Sequence, residues 1–191
     1  MLSLKGLGIS LALAAGVAIT LAAAQTSGQP EEFTAFAIVS DNLGSGAGRV
    51  VIRVTRWSTE AERTRLSASL QKGPDQLLED LRDERSVGTI RTPDSLGYDL
   101  RYAHQEPGED GGRRVVIATD RPIGFWEARN QPRSIDYPFT VIQMEIGKDG
   151  KGKGTMSYAT KVMARGNVIV LENFSTAPVM LNEIEARKIR N

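Results

Sequence analysis

Apolar positions fall into three regimes along this chain. Leu7 to Ala24 is an unbroken run of apolar and small residues. Beyond it, two stretches read as strands. Phe33 to Val39 is densely apolar and β-branched and predicts a first strand. Arg49 to Trp57 alternates: Val50, Ile52 and Val54 face one way, while Val51, Arg53 and Thr55 face the other, the period of a half-buried strand. Between the two, Asp41 to Gly48 holds Asn42, Gly44, Ser45, Gly46 and Gly48 and predicts a connector without regular structure.

The period then changes. Thr59-Glu60-Ala61-Glu62 matches a capping box, in which a hydroxyl and a carboxylate satisfy each other's backbone donors. Ala61, Leu66 and Leu70 share one side of the helix that follows. Gly73 ends it, Pro74 suits the first turn of a second helix, and Leu77, Leu78 and Leu81 stripe that shorter helix. This hairpin is the only helical part predicted after Ala24.

Strand patterns resume over Val87–Thr92, Leu96–Gln105, Arg113–Asp120, Phe139–Gly147, Thr155–Ala164, Val168–Asn173 and Pro178–Glu185. In Leu96–Gln105 the alternation sets Tyr98, Leu100 and Tyr102 against Asp99, Arg101 and Ala103. Pro107 to Gly112, with its Asp-Gly pair, predicts a hairpin loop. Lys148 to Gly154 predicts a solvated hairpin tip. Short strands joined by hairpins predict an α+β, mainly β fold. It is a curved antiparallel sheet of about nine strands, closed as a barrel or a two-layer sandwich. One helical hairpin between the second and third strands covers an end or an open edge.

The first regime carries the compartment. Lys5, the apolar run and the small-residue exit at Ala22-Ala23-Ala24 are the parts of a secretory signal. We read residues 1–24 as a signal peptide, 25–32 as a flexible leader and 33–191 as one β-rich domain, periplasmic or extracellular. Retained, the run becomes an N-terminal anchor, since a span needs at least ~17 apolar residues. Lys5 then stays on the cytoplasmic side. No membrane span is expected once the signal is removed.

Charge and composition narrow the chemistry. Lys5 is the signal's one charge, so the remaining chain holds 23 basic and 23 acidic residues. A balanced chain lacks the basic footprint of a nucleic-acid binder. With no cysteine and a single histidine, disulfides, thiol nucleophiles and His-rich metal sites drop out. No cofactor and no metal are expected, and oligomeric state stays open.

Candidate chemistry concentrates in Asp120-Arg121-Pro122-Ile123-Gly124-Phe125-Trp126-Glu127. A connection this long without a clear period is often functional. Trp126 beside Arg121 or Arg129 offers a stacking surface for a planar or sugar-like ligand, and Phe125 joins it in the candidate binding set. Asp120 and Glu127 are the acid and base that glycoside hydrolysis would ask for. Equally, the aromatics plug the core and Asp120 and Arg121 tie the loop down. Arg91, Asp99 and Arg101 form an outward charge ladder, or else point into a polar barrel interior, where Arg101 binds an anionic ligand. Tyr98 and Tyr102, on the opposite face, read as core with hydroxyls reaching the rim, or as a ligand cage. His104 reads as a strand-end surface histidine, without a Gly-x-Ser-x-Gly elbow to serve. No catalytic residue is assigned.

Three strings resemble a group of uncharacterised exported bacterial proteins without an assigned activity. They are Trp57-Ser58-Thr59-Glu60-Ala61-Glu62-Arg63, Arg91 to Leu100 and Asp120 to Glu127. The resemblance implies a bacterial source and an extracytoplasmic site, and carries over no functional residue. The leading expectation is an exported domain that binds a small apolar or amphipathic ligand or a cell-envelope component. Two alternatives stand beside it: a hydrolase of envelope or environmental polymers using Asp120, Glu127 or Glu109, and a scaffold that pairs through a sheet edge.

Overall fold

The computed structural model describes residues 28–41, 44–123, 136–166, 168–173 and 177–190. Its elements run β1 (Glu31–Asp41), β2 (Gly44–Val54), α1 (Glu60–Lys72), α2 (Pro74–Asp83), β3 (Gly88–Arg91), β4 (Tyr98–Leu100) and β5 (Tyr102–Pro107). They continue with β6 (Arg113–Thr119), β7 (Phe139–Ile146), β8 (Lys151–Arg165), β9 (Val168–Asn173) and β10 (Val179–Lys188).

All pairings are antiparallel, in the order β4-β3-β2-β1-β10-β8-β7-β6-β5, with β9 added to β8. The two ends of that path, β4 and β5, are separated in sequence by Arg101 alone. The Arg101 N–H donates to the Ala118 carbonyl of β6 at 3.0 Å, and the Val87 N–H donates to the Leu100 carbonyl at 2.8 Å. The sheet therefore comes round on itself through one bent stave. Each stave neighbours the next in sequence, and β10 returns to β1. Register shifts in the β1–β10, β10–β8 and β7–β8 pairings supply the curvature, as bulges do.

Alternation fills the interior. Phe33, Ala35 and Ala37 of β1, Ile52 of β2, Ile117 of β6 and Ile142 of β7 point inward and are buried. Phe33, Ile52, Ile90, Ile117, Met156 and Leu181 have no accessible surface, so no water-sized space opens beside them. The barrel's middle is a packed core.

The helical hairpin sits on the outside of this wall. Leu66, Leu70, Leu77 and Leu81 cluster with Phe139, Val141 and Val162 and with the outward Val116 and Ala118. It covers the outer face of β6, β7 and β8 instead of an end or an edge, because those strands carry apolar residues on both faces. The capping box at Thr59 and Glu62 is formed, and Gly73 separates the helices with Pro74 opening α2. No helix among the described residues is long and apolar enough to cross a membrane.

Two glycine-rich stretches depart from expectation. Gly44 to Gly48 is the first part of β2, paired residue by residue with Ala37 to Asp41. The partner strand supplies the ladder that composition alone argued against. The β7–β8 turn is confined to Gly147–Gly150, and Lys151 to Gly154 belong to β8. Gly152 lies so close to β7 that a Cβ there would fall on the Glu145 carbonyl. The glycine is required by the crossing of strands, not by a turn.

The lower end of the barrel gathers the start of β1, the end of β10 and the β5–β6 and β7–β8 turns. Glu31 reaches Arg113 through two hydrogen bonds, at 3.0 and 2.6 Å. Arg113 also donates to Gln105 Oε1 at 2.6 Å and lies 5.8 Å from the centre of the Phe33 ring. The Trp57 indole N–H donates to the Gln29 carbonyl at 3.0 Å. The upper end gathers the end of β1, the start of β2, the β3–β4 turn and the end of β6 with Asp120–Ile123.

Candidate functional site

The bend at Arg101 explains the upper corner. Leu100 and Ala103 both point inward and are buried, so the stave shifts its alternation by one residue between them. The single apolar side expected for Tyr98, Leu100 and Tyr102 is therefore split. Tyr98 packs against the inner core, whereas Tyr102 joins the outer cluster under the helices. Burial pushes the Tyr102 hydroxyl up to about 12, with Arg63 pulling the other way.

Freed from the alternation, the Arg101 side chain turns to two neighbouring elements. Its Nε donates to Asp120 Oδ1 at 3.4 Å and its Nη1 to the Glu84 carbonyl, past the end of α2, at 3.0 Å. The Glu84 carboxylate is buried and pairs with Arg65 of α1. The Thr119 hydroxyl lies 2.7 Å from the Asp99 carbonyl and 3.2 Å from Asp120 Oδ1, and has one proton for the two. Arg121 Nε stands 3.9 Å from the same oxygen. The Arg101 guanidinium thus knits the bent stave to the end of the helical hairpin through Glu84 and to the end of β6 through the buried Asp120.

The chain beyond is stitched to β7. Thr140 Oγ1 accepts from the Ile123 N–H at 3.0 Å and lies 2.9 Å from the Arg121 carbonyl and 2.7 Å from that of Tyr158. Ile123 is buried in the core. Of the residues singled out in the sequence, the structure brings together Arg101, Asp120 and Arg121 and sets Tyr98 on the inner side of the same stave. Phe125, Trp126, Glu127 and Arg129 lie outside the described residues. The Arg91-Asp99-Arg101 ladder is not formed as such, since Arg101 is drawn to Asp120 while Arg91 and Asp99 remain exposed.

His104 departs from a surface position. It is half-buried beside Tyr102, ring centroids 6.3 Å apart, and its Nδ1 is buried without a hydrogen-bond partner. Burial holds its pKa below the ordinary value, helped by Arg63 and opposed by Glu60 and Glu106.

Sequence reasoning passed over the outer wall. Phe36 and Ile38 of β1 and Met180 of β10 are exposed, with Ile38 directly opposite Met180. Val168 and Ile169 at the start of β9 are exposed too. A signal was present. Ala35-Phe36-Ala37-Ile38-Val39 is apolar at consecutive positions in an antiparallel strand, which has one face too many for its own core. No protein-family model, curated protein or solved structure matches this chain.

Proposed function

We propose that this chain is an exported, non-enzymatic barrel that works through its outer surface. It takes up a polypeptide of the cell envelope on the wall of β1 and β10 and along the edge of β9. One observation carries the reading. Five of the six exposed large hydrophobic residues among those described fall on these neighbouring strands: Phe36, Ile38, Val168, Ile169 and Met180. Scattered apolar side chains are ordinary on a surface, but exposed apolar clusters mark interaction sites: Phe36, Ile38 and Met180 form one, and Val168 and Ile169 a second, roughly 30 Å further along β8. Val168 to Leu171 carries no charge and no proline, the devices that normally blunt a strand edge, and β9 pairs only with β8 among the described strands. An extended polypeptide long enough to reach both would take its backbone bonds from that edge and its side-chain contacts from the wall.

The packed interior supports the same reading, since it leaves a small apolar or amphipathic ligand no seat in the barrel's middle and points such a ligand to the wall as well. A hydrolytic role has weaker support: Asp120 is held by Arg101 and Thr119. The Glu127 and Glu109 side chains lie outside what is described. The test is photo-crosslinking in the native host from positions 169 and 180. The same polypeptide should be captured from both, and lost in an Ile38→Lys, Met180→Lys variant. Equal capture of that polypeptide from Ser67, on the helical side, would sink the proposal.

A further inference from the structure

We propose that the lower end of the barrel faces a bilayer and docks on anionic phosphate headgroups through Lys148, Lys151 and Lys153. The inference rests on the alternative in which the N-terminal run is retained as an anchor and not cleaved, and is independent of the partner wall above.

The point where the chain enters the fold comes first. Gly28 is seated against the Trp57 indole and the Gln105 amide, so closely that a Cβ would overlap both. The Pro30 carbonyl accepts from the Ile189 N–H at 2.9 Å. The apolar run therefore joins the fold at the lower end, with only Gln25, Thr26 and Ser27 between Ala24 and Gly28. A chain spans at most ~3.5 Å per residue, so with the run in a bilayer this end is held within roughly 14 Å of the surface. That is of the order of the ~8 Å screening length at physiological salt.

The same end carries an open cleft of about 820 Å³ between the β5–β6 and β7–β8 turns, lined among others by Arg113, Arg114, Lys148, Lys151 and Lys153. Lys148 crosses from one turn to lie against Gly111 of the other. Lys151 and Lys153 point outward from β8 on either side of the inward Gly152. Asp110, Glu145 and Asp149 also line the cleft. Asp149 Oδ1 accepts from the Lys151 backbone N–H at 3.1 Å, and Glu145 stands between Arg114 and Lys153 in the strand register. Arg113 is bound by Glu31 and Arg114 by Glu106. Glu185 stands opposite Lys151 in the register but pairs with Arg187, and among the described residues no carboxylate forms a salt bridge with any of the three lysine ammonium groups. Cations left unpaired on the end that the leader holds toward the membrane suit phosphate headgroups.

The experiment uses the full chain with vesicles of neutral phosphatidylcholine and vesicles that also contain phosphatidylglycerol, at low and at physiological salt. Binding to neutral vesicles reports the apolar run. The lysines should add a further affinity for anionic vesicles that weakens with salt. Each lysine near an anionic surface is worth a factor of about 5. A Lys148→Gln, Lys151→Gln, Lys153→Gln variant should thus lose roughly 100-fold of the anionic increment, with neutral binding and unfolding midpoint unchanged. The corresponding triple arginine variant should keep the increment. An increment of equal size in the glutamine variant overturns the proposal. So does saturable binding of inorganic pyrophosphate without any vesicle increment, which would make the cleft a site for soluble anions. Loss of neutral binding with the increment intact would count against the N-terminal run alone.

Discussion

At the scale of single residues, the structure's strongest commitment is the Glu31–Arg113 contact across the lower end. Both carboxylate oxygens are engaged, and Glu31 is buried. Removing one partner leaves the other charge desolvated, which costs more than the pair itself contributes. Glu31→Gln should lower stability by roughly 2–3 kcal/mol in chemical denaturation. A double variant with Arg113→Met should recover part of the loss; a double variant no more stable than Glu31→Gln would refute a coupled pair. His104 gives a pH-dependent counterpart. Its folded pKa lies below the ordinary 6.5 because it is buried, so the unfolded chain takes up the proton more readily. Stability is full above pH 6.5 and falls as pH drops through the lowered value. As this is the only histidine, His104→Gln should flatten that part of the pH profile; an unchanged profile would rule the burial out as its source. The sequence showed that Asp120 and Arg121 could tie a loop down. It did not show Arg101 as the partner, because the shift of alternation at that residue is set by closure of the sheet and leaves no local mark.

Whole elements were more legible where their signals are local. The capping box at Thr59, the stop at Gly73 and the proline start of α2 are short-range chemistry, and each is found in place. The seat of the hairpin was not legible, since it depends on which strands keep apolar residues on their outer face. Phe139 and Val141, in a predicted strand that shows no sign of its outer face, belong to the cluster with Leu77 and Leu81 outside the barrel. Glycine misled twice in the same direction: Gly44 to Gly48 sits in a strand, and Gly152, expected in a hairpin tip, serves strand contact. The outer packing makes a separable prediction. Leu81 is buried in the helical cluster and not in the barrel, so Leu81→Ala should cost about 2–4 kcal/mol. Hydrogen exchange should rise first in α1 and α2, while β1, β2 and β10 keep their protection. Uniform loss of protection across the strands would show that the hairpin is integral to the barrel and not a cover on it.

For the molecule as a whole, the number and spacing of strands allowed either a barrel or a sandwich. The choice lies in long-range pairing, which periodicity does not encode. Setting β9 aside and counting β4 with β5 as one bent stave leaves nine of the ten described strands as eight staves of a nearly closed meander. Its last closure joins β10 to β1, matching Glu31 with Lys188. That contact spans almost the whole described chain, so its loop-closure entropy must be met before the barrel is complete, the condition for slow folding. The same closure brings the two ends of the domain together, Pro30 within hydrogen-bonding distance of Ile189. A circular permutant of residues 28–190 should therefore fold. In it, a short Gly/Ser linker joins the old ends and new ends open between Asp94 and Ser95, in the β3–β4 turn where Asp94 is exposed. Pairing of β1 with β10 becomes local, and refolding should accelerate relative to the parent domain, while the unfolding transition stays cooperative. A permutant that unfolds in two separate steps would mean that the β1–β10 seam does not close one continuous body.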